Sequence, residues 1–128
     1  DCISVYPSAT LGLGTSFAEV SMGNVKASKG TSFTVVGGGV RCNYSGYVLV
    51  SANVFVSGAQ EGDGIQAGFS SVGFTGGVLS TSSGFAVSPT LIQVSRNDVI
   101  RLSVANWTAA RGQIQAGNDA TLMTVMRI

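Results

Sequence analysis

Histidine is absent from this chain, and charged side chains make up only 10% of it. Without imidazole, the chain lacks the side chain that most often acts as a general base near neutral pH, and also a common zinc ligand. Seven basic and six acidic residues leave a formal net charge of +1. Such a weak charge gives no field that would attract a nucleic-acid backbone or an anionic membrane surface. The composition therefore predicts no nucleic-acid partner.

The remaining polar residues form no recognisable catalytic or metal-binding arrangement. The six acids lie in predicted turns or on polar strand faces, and no Gly-x-Ser-x-Gly elbow accompanies the serines. The glycine triplet at residues 37–39 is not followed by the Lys and Ser/Thr of a phosphate-binding loop. Glu61 and Asp63 are too few ligands for a calcium loop. We therefore expect a protein that is not an enzyme and that binds neither a cofactor nor a metal ion.

Cysteine and long apolar runs are also scarce. The two cysteines, Cys2 and Cys42, are far apart in sequence, which favours small buried thiols, although a bridge between them stays open. No apolar run is long enough to span a bilayer, so no membrane insertion is expected. The chain begins at Asp1 with neither a Met nor a signal sequence. We expect it to be the C-terminal head of a longer chain.

Glycine, serine, threonine and valine are abundant instead, in short alternating runs. The 18 glycines and the 45% share of hydrophobic residues are typical of an all-β protein with many turns. About eight to ten predicted strands favour a β-sandwich, and a jelly roll is the commonest way to wind that number into two sheets. A length of 128 residues fits one domain that covers residues 1–128.

The longest predicted strand, at residues 44–58, has two apolar faces. Side chains alternate along a strand, so Tyr47, Leu49 and Phe55 share one face, and the opposite face consists mainly of valines. A surface strand would have one polar face. We therefore expect the valine face to lie on the core and the aromatic face to contact something else.

Turn residues divide the second half of the chain. An Asp-Gly pair predicts a hairpin connection at residues 60–64, followed by a strand at 65–74. Pro89 is expected to separate a short strand at residues 85–87 from another at 90–95. Alternation further predicts strands at 99–106 and 120–128, with a loop at 107–118 between them.

Three motifs together resemble a known superfamily. They are SGYVLVSANVFV at residues 45–56, VSRNDVIRLSVANWT at 94–108 and TLMTVMRI at 121–128. Over residues 45–128 the chain resembles the tumour necrosis factor (TNF) and complement globular-head superfamily, most closely its bacteriophage and bacterial members. The resemblance implies a ten-stranded, two-sheet jelly roll that assembles as a homotrimer.

The resemblance also implies which side chains meet the threefold axis. The central strand and the last strand would be neighbours in the inner sheet, with Tyr47, Leu49 and Phe55 turned towards the axis. Met123 and Val125 are assigned to the same interface from the last strand. Alternation alone leaves open whether the opposite face of that strand meets the axis instead. It also leaves open whether a loop of the same chain covers the aromatic face.

Recognition of a partner is expected on loops, because a rigid β scaffold commonly carries binding residues there. The candidate loops are residues 60–64, 79–84 and 107–117. Trp107 is the only tryptophan and lies where a strand becomes a loop, beside Asn106 and near Arg111. Exposed aromatic side chains beside amides are common in binding sites, so these three residues are the candidate receptor-binding residues. A buried plug beneath the loop is the alternative role for Trp107.

The resemblance and the lack of catalytic residues together predict a non-enzymatic trimeric head on a virion surface. Such a head would be a phage fibre, spike or capsid-decorating knob that serves structure and attachment, with a host-surface glycan or protein as its partner. Two alternatives place the chain on a cell surface or outside the cell. One is a bacterial surface or spore-coat head on a collagen-like stalk, and the other is a secreted complement-type ligand.

Overall fold

The computed structural model of the chain describes residues 1–69 and 84–128, and every regular element in these ranges is a β-strand. The strands are β1 (Cys2–Tyr6), β2 (Leu11–Gly12), β3 (Ala18–Val20), β4 (Asn24–Lys29), β5 (Phe33–Val36), β6 (Gly39–Cys42), β7 (Gly46–Phe55), β8 (Ile65–Phe69), β9 (Gly84–Val94), β10 (Val99–Ile100), β11 (Leu102–Asn106), β12 (Gln113–Ile114) and β13 (Leu122–Arg127). Among the described residues, no helix is long and apolar enough to cross a membrane. The prediction of an all-β fold is confirmed.

A five-stranded antiparallel sheet in the order β4-β1-β13-β7-β9 forms one layer. Its longest interior strand, β7, pairs with β13 on one side and β9 on the other. The other described strands form the sheets β10-β6-β5 and β3-β11-β8 and the small ladder β12-β2. The predicted count of ten strands stays a prediction.

Among the described residues, a hydrophobic core lies between the five-stranded sheet and the remaining strands. On β7, Val48, Val50 and Val54 are buried in it, as the alternation predicts. Leu102 and Val104 of β11 enter the same core from the opposite side. Burial of one such side chain contributes about 1.5–3 kcal/mol to the stability of the fold. This shared core therefore holds the two layers together.

Pro89 does not end a strand. Residues 84–94 form the continuous strand β9, and its ladder with β7 shifts register between Val50 and Ala52. Ser88 and Pro89 there stand opposite the single residue Ser51, which is the geometry of a β-bulge. In the sheet order of the described residues, β9 is an edge strand. A proline is tolerated in an edge strand, because the backbone N–H that it lacks is not needed for pairing on the open side. The prediction of two separate strands is wrong.

Other predicted elements are subdivided or fall partly outside the described ranges. The predicted strand at residues 99–106 splits, since β10 pairs with β6 whereas β11 pairs with β3 and β8. The predicted loop at residues 107–118 contains β12, which pairs with β2. The predicted strand at 65–74 begins with β8, and its last residues lie outside the described ranges. Residues 79–83 of one candidate recognition loop also lie outside them.

Candidate functional site

The five-stranded sheet exposes an apolar face on the side that points away from the core. On β7, Tyr47 is 48% exposed and Phe55 is also exposed, while Leu49 is half-buried. Their neighbours along the strand turn into the core, so alternation forces these three side chains outward. No loop among the described residues covers Tyr47. The predicted second apolar face is therefore present.

Strand register extends this face onto neighbouring strands. Leu49 lies opposite Met126 on β13 and opposite Leu91 on β9, and Met126 lies opposite Cys2 on β1. These four residues form one row across four strands, and Leu91 is 59% exposed. Ile128 extends the face beside this row, because its N–H donates to the Tyr47 carbonyl at 3.2 Å. We define the outward face by its large apolar side chains, Tyr47, Leu49, Phe55, Leu91, Met126 and Ile128.

Met123 and Val125 do not belong to the outward face. Both side chains are fully buried in the core of the subunit. The register explains this position, because Val125 pairs with Val50 and Met123 pairs with Ala52, whose side chains also face the core. The assignment of Met123 and Val125 to a trimer interface is wrong. The opposite side of β13 faces outward instead.

A patch of smaller and mostly polar side chains interrupts the outward face. Ser51 lies opposite Thr124, which lies opposite Ser4. The Ser4 and Thr124 hydroxyls are hydrogen-bonded to each other at 2.9 Å. A depression of about 210 Å³ lies over this patch, at the bulge beside Pro89, and its lining also includes Asn53. The apolar face therefore has a shallow hollow near its middle, which polar and apolar residues line together.

Asn106, one of the candidate receptor-binding residues, is fully buried. Its side-chain amide donates to Asp63 Oδ2 and to the Arg111 carbonyl, each at 3.1 Å. Its side-chain oxygen accepts the N–H groups of Thr108 and Ala109 at 3.1 and 3.3 Å. Every polar group of the side chain is therefore engaged within the subunit. The assignment of Asn106 to a receptor contact is wrong, and its role is to shape the loop that follows β11.

Arg111, the second candidate, forms an ion pair with a buried carboxylate. Its Nε donates to Asp63 Oδ2 at 2.7 Å and its Nη2 donates to Asp63 Oδ1. Asp63 also accepts the Gln60 N–H at 3.0 Å and is almost wholly buried. The bond from Arg111 holds the pKa of Asp63 well below its usual range, and burial opposes this only in part. Arg111 thus joins two loops, and its charge is compensated inside the subunit.

Trp107, the third candidate, lies at the surface and is 45% exposed. Its indole Nε1 donates to Gln66 Oε1 at 3.0 Å. Its ring packs edge to face with Phe17, with ring centroids 5.1 Å apart and planes at 90°. The alternative role of a buried plug does not fit this exposure. We call Trp107, Phe17 and Gln66 the Trp107 cluster.

The two cysteines are not joined. Both are free thiols, and Cys2 lies on the outward face of the five-stranded sheet whereas Cys42 is buried in the core. Burial, with a further contribution from the charge of Asp98, raises the pKa of the Cys42 thiol to about 11. Cys42 is therefore protonated near neutral pH and acts as a small apolar side chain. Among residues 1–69 and 84–128, no three His, Cys, Asp or Glu side chains form a group that could hold a metal ion.

Comparison with known proteins gives matches by structure only. No protein-family model and no curated protein matches the sequence. The solved structure of mouse APRIL, a TNF-family protein, covers 99% of this chain and 98% of its own, with a TM-score of 0.73 and 13% identity. The vertex protein P5 of phage PRD1 covers 100% and 96%, with a TM-score of 0.68 and 16% identity. The globular domain of zebrafish complement 1qA covers 99% and 96%, with a TM-score of 0.63 and 13% identity.

The chain has the TNF-like jelly-roll fold. At such low identities, these similarities establish the fold and leave the function open. In this TNF-like jelly roll, β7 and β13 pair directly over six residues each, as the resemblance implies for the central and last strands. The outward face therefore belongs to the sheet that contains both of these strands.

The sequence alone does not predict several residues of the candidate site. Leu91 joins the outward face only because the bulge at Pro89 sets the register of β9. Asp63 is 43 residues from Asn106 and 48 residues from Arg111, so no local pattern relates them. Phe17 and Trp107 are even further apart, at 90 residues. For Met126 and Ile128 alone, the sequence contains a usable signal of membership in the outward face. Alternation along β13 places these two residues on the same side of the strand.

Proposed function

We propose that this chain is a non-enzymatic trimeric head domain on a virion surface, where it serves structure and attachment. The observation that carries the proposal is the exposed apolar outward face on a TNF-like jelly roll. An apolar patch of this kind on a soluble protein commonly marks an interaction surface. The similarity to the PRD1 vertex protein supports a place on a virion.

A second and third copy of the chain are the expected occupants of the outward face. The outward side chains of β7, β9 and β13 include no charged residue, so copies can approach through these three strands without burying an unpaired charge. Obligate homo-oligomer interfaces are similarly apolar and resemble a domain core cut open. Three copies around a threefold axis would bury Tyr47, Leu91 and Met126 from each subunit. The hollow around Ser51 would then face the axis.

Sedimentation equilibrium at micromolar concentration tests the proposal. We expect a species with three times the 13.0 kDa mass of the chain. A stable species of 13.0 kDa would contradict the proposed trimer. Labelling of purified virions with antibodies against the chain would test the proposed location. Labelling of a host cell surface without virion labelling would favour the bacterial-surface alternative.

A secreted complement-type ligand is a second candidate, favoured by the similarity to the globular domain of complement 1qA. It shares the proposed trimer and differs in location. A full-length gene that encodes a secretory signal before this chain would favour it, whereas collagen-like Gly-x-y repeats would favour the bacterial-surface alternative. A gene that lies among capsid or tail genes would favour the virion head.

A further inference from the structure

The Trp107 cluster lies on the side of the second layer that points away from the core, at the end of β11, where Trp107 is exposed although Ser103 and Ala105 on the same side are buried. Trp107 directly follows β11, Phe17 directly precedes β3, and Gln66 lies in β8. These strands form the sheet β3-β11-β8, in which Ala105 pairs with Gln66. Since the alternating residues of β11 at positions 102 and 104 enter the core, the cluster lies on the side away from it. It would stay accessible when three copies join through the outward face.

Hydrogen bonds hold the backbone of Trp107 from both sides. Its N–H donates to the Gly64 carbonyl at 2.9 Å, and the Gly64 N–H donates to Thr108 Oγ1 at 2.9 Å. Asn106 on the other side is fixed by the buried Asp63 network described above. The ring therefore projects from an anchored segment and loses little freedom when it binds a partner. Such pre-organisation is typical of an aromatic side chain in a binding site.

The chemistry of the Trp107 cluster fits a neutral sugar. An indole face presents a flat apolar surface that can cover the C–H face of a pyranose ring, while an amide can hydrogen-bond to its hydroxyls. The Gln66 oxygen is used by Trp107, and its Nε2 donates to no group among the described residues. The guanidinium of Arg111 is compensated by Asp63, so it offers no free charge for an acidic ligand.

We propose that the Trp107 cluster binds a neutral sugar residue of a host-surface glycan. Trp107 supplies the stacking surface, Phe17 packs at right angles against the indole ring, and the Gln66 amide donates a hydrogen bond. This inference rests on the attachment role in the proposed function and names the ligand class and the site. The trimer does not depend on it, because the cluster and the outward face lie on different layers.

Fluorescence offers a direct test, since Trp107 is the only tryptophan of the chain. The probes are an array of neutral and sialylated glycans, followed by titration with the neutral oligosaccharides that the array retains. We expect saturable binding of neutral glycans with a change in Trp107 emission. Array binding should fall about tenfold or more in Trp107→Ala, as for an aromatic hot spot. Trp107→Phe should keep part of the affinity because it keeps an aromatic face.

Matched variants separate binding from folding. Val36→Ala alters an exposed apolar side chain in β5 and should leave glycan binding unchanged. Gln66→Ala should weaken binding, because it removes both the amide donor and the acceptor of the indole N–H. Each variant is compared by sedimentation and circular dichroism, so that a loss of binding counts only in a folded protein of unchanged mass.

Three outcomes would overturn the inference. They are an absence of binding to neutral glycans, equal binding by wild type and Trp107→Ala, and attachment to host cells that protease treatment abolishes but periodate treatment does not. The last result would indicate a protein receptor. A trimer without glycan binding would contradict this inference alone, whereas a monomer would contradict the proposed function.

Discussion

Asp63 shows how one buried carboxylate can organise two loops. It accepts hydrogen bonds from Gln60, Asn106 and Arg111, so the loop before β8 and the loop after β11 meet at one side chain. A carboxylate can be buried in this way because a guanidinium compensates its charge and donors occupy its oxygens. The same network buries Asn106 and compensates the charge of Arg111, whose side chain is one-third exposed. Among the three receptor-binding candidates, only Trp107 therefore has an exposed side-chain surface that the Asp63 network does not use.

Asp63→Asn should destabilise the folded protein at neutral pH. The substitution removes the charge that compensates Arg111 and leaves an amide N–H₂ facing the donors of Arg111 and Asn106. We expect a lower midpoint of urea denaturation, measured by circular dichroism at pH 7. Asp119→Asn is the matched control, because Asp119 pairs with Lys26 at the surface and both side chains are half exposed. Equal destabilisation by the two substitutions would contradict the role assigned to Asp63.

The pKa of Asp63 also predicts how stability depends on pH. The native pKa lies well below that of the unfolded chain, which is about 3.9 for an aspartate, so the unfolded state binds the proton first. The contribution of Asp63 is therefore fully present above about pH 4 and is lost as the pH falls towards the native pKa. The urea midpoint of the wild type should fall between pH 4 and pH 2 more steeply than that of Asp63→Asn. Parallel curves for the two proteins would contradict this assignment.

At the scale of elements, β7 separates two tasks by alternation. Its valines face the core of the subunit, and Tyr47, Leu49 and Phe55 face outward. This division follows from the sequence because successive side chains of a strand point to opposite faces. The sequence could not show which neighbours complete the outward face. Leu91 reaches it through a bulge, and Met126 reaches it through the pairing of β13 with β7.

Phe55→Asp should dissociate the proposed trimer more than it unfolds the subunit. A carboxylate on the outward face would be buried without a partner in each of three copies, whereas in a monomer it would stay in water. Sedimentation should show monomers with an unchanged circular dichroism spectrum. Val36→Asp is a close control, because Val36 is 37% exposed and Phe55 is 36% exposed, but Val36 lies on β5 outside the outward face. Trimers unaltered by Phe55→Asp would count against the interface.

Met123→Ala should destabilise the subunit more than it dissociates the proposed trimer, which is the reverse of the effect expected for Phe55→Asp. Met123 is fully buried in the core, so truncation leaves a cavity within the subunit. We expect a loss of about 2–5 kcal/mol in the free energy of unfolding, measured by urea denaturation at one protein concentration. A variant that dissociates at unchanged subunit stability would restore Met123 to the interface.

At the scale of the whole molecule, the proposed trimer would make the stability of each subunit depend on its assembly. When unfolding is coupled to dissociation of a trimer, a tenfold increase in concentration stabilises each chain by roughly 0.9 kcal/mol. The midpoint of reversible thermal unfolding should therefore rise by about 3–6 °C per tenfold increase in concentration. Calorimetry over two decades of concentration measures this rise. A midpoint independent of concentration would contradict the trimer.

The sequence by itself determined the all-β class, the two-faced central strand and the resemblance to the TNF-like fold. These features are local, because alternation and turn residues are read over a few positions along the chain. Only the tertiary structure decided that Met123 and Val125 face the core, that Pro89 sits in a bulge, and that Asp63 pairs with Arg111. Each of these depends on register or on contacts between distant segments. Alternation defines two faces of a strand, but packing against other strands decides which one is buried.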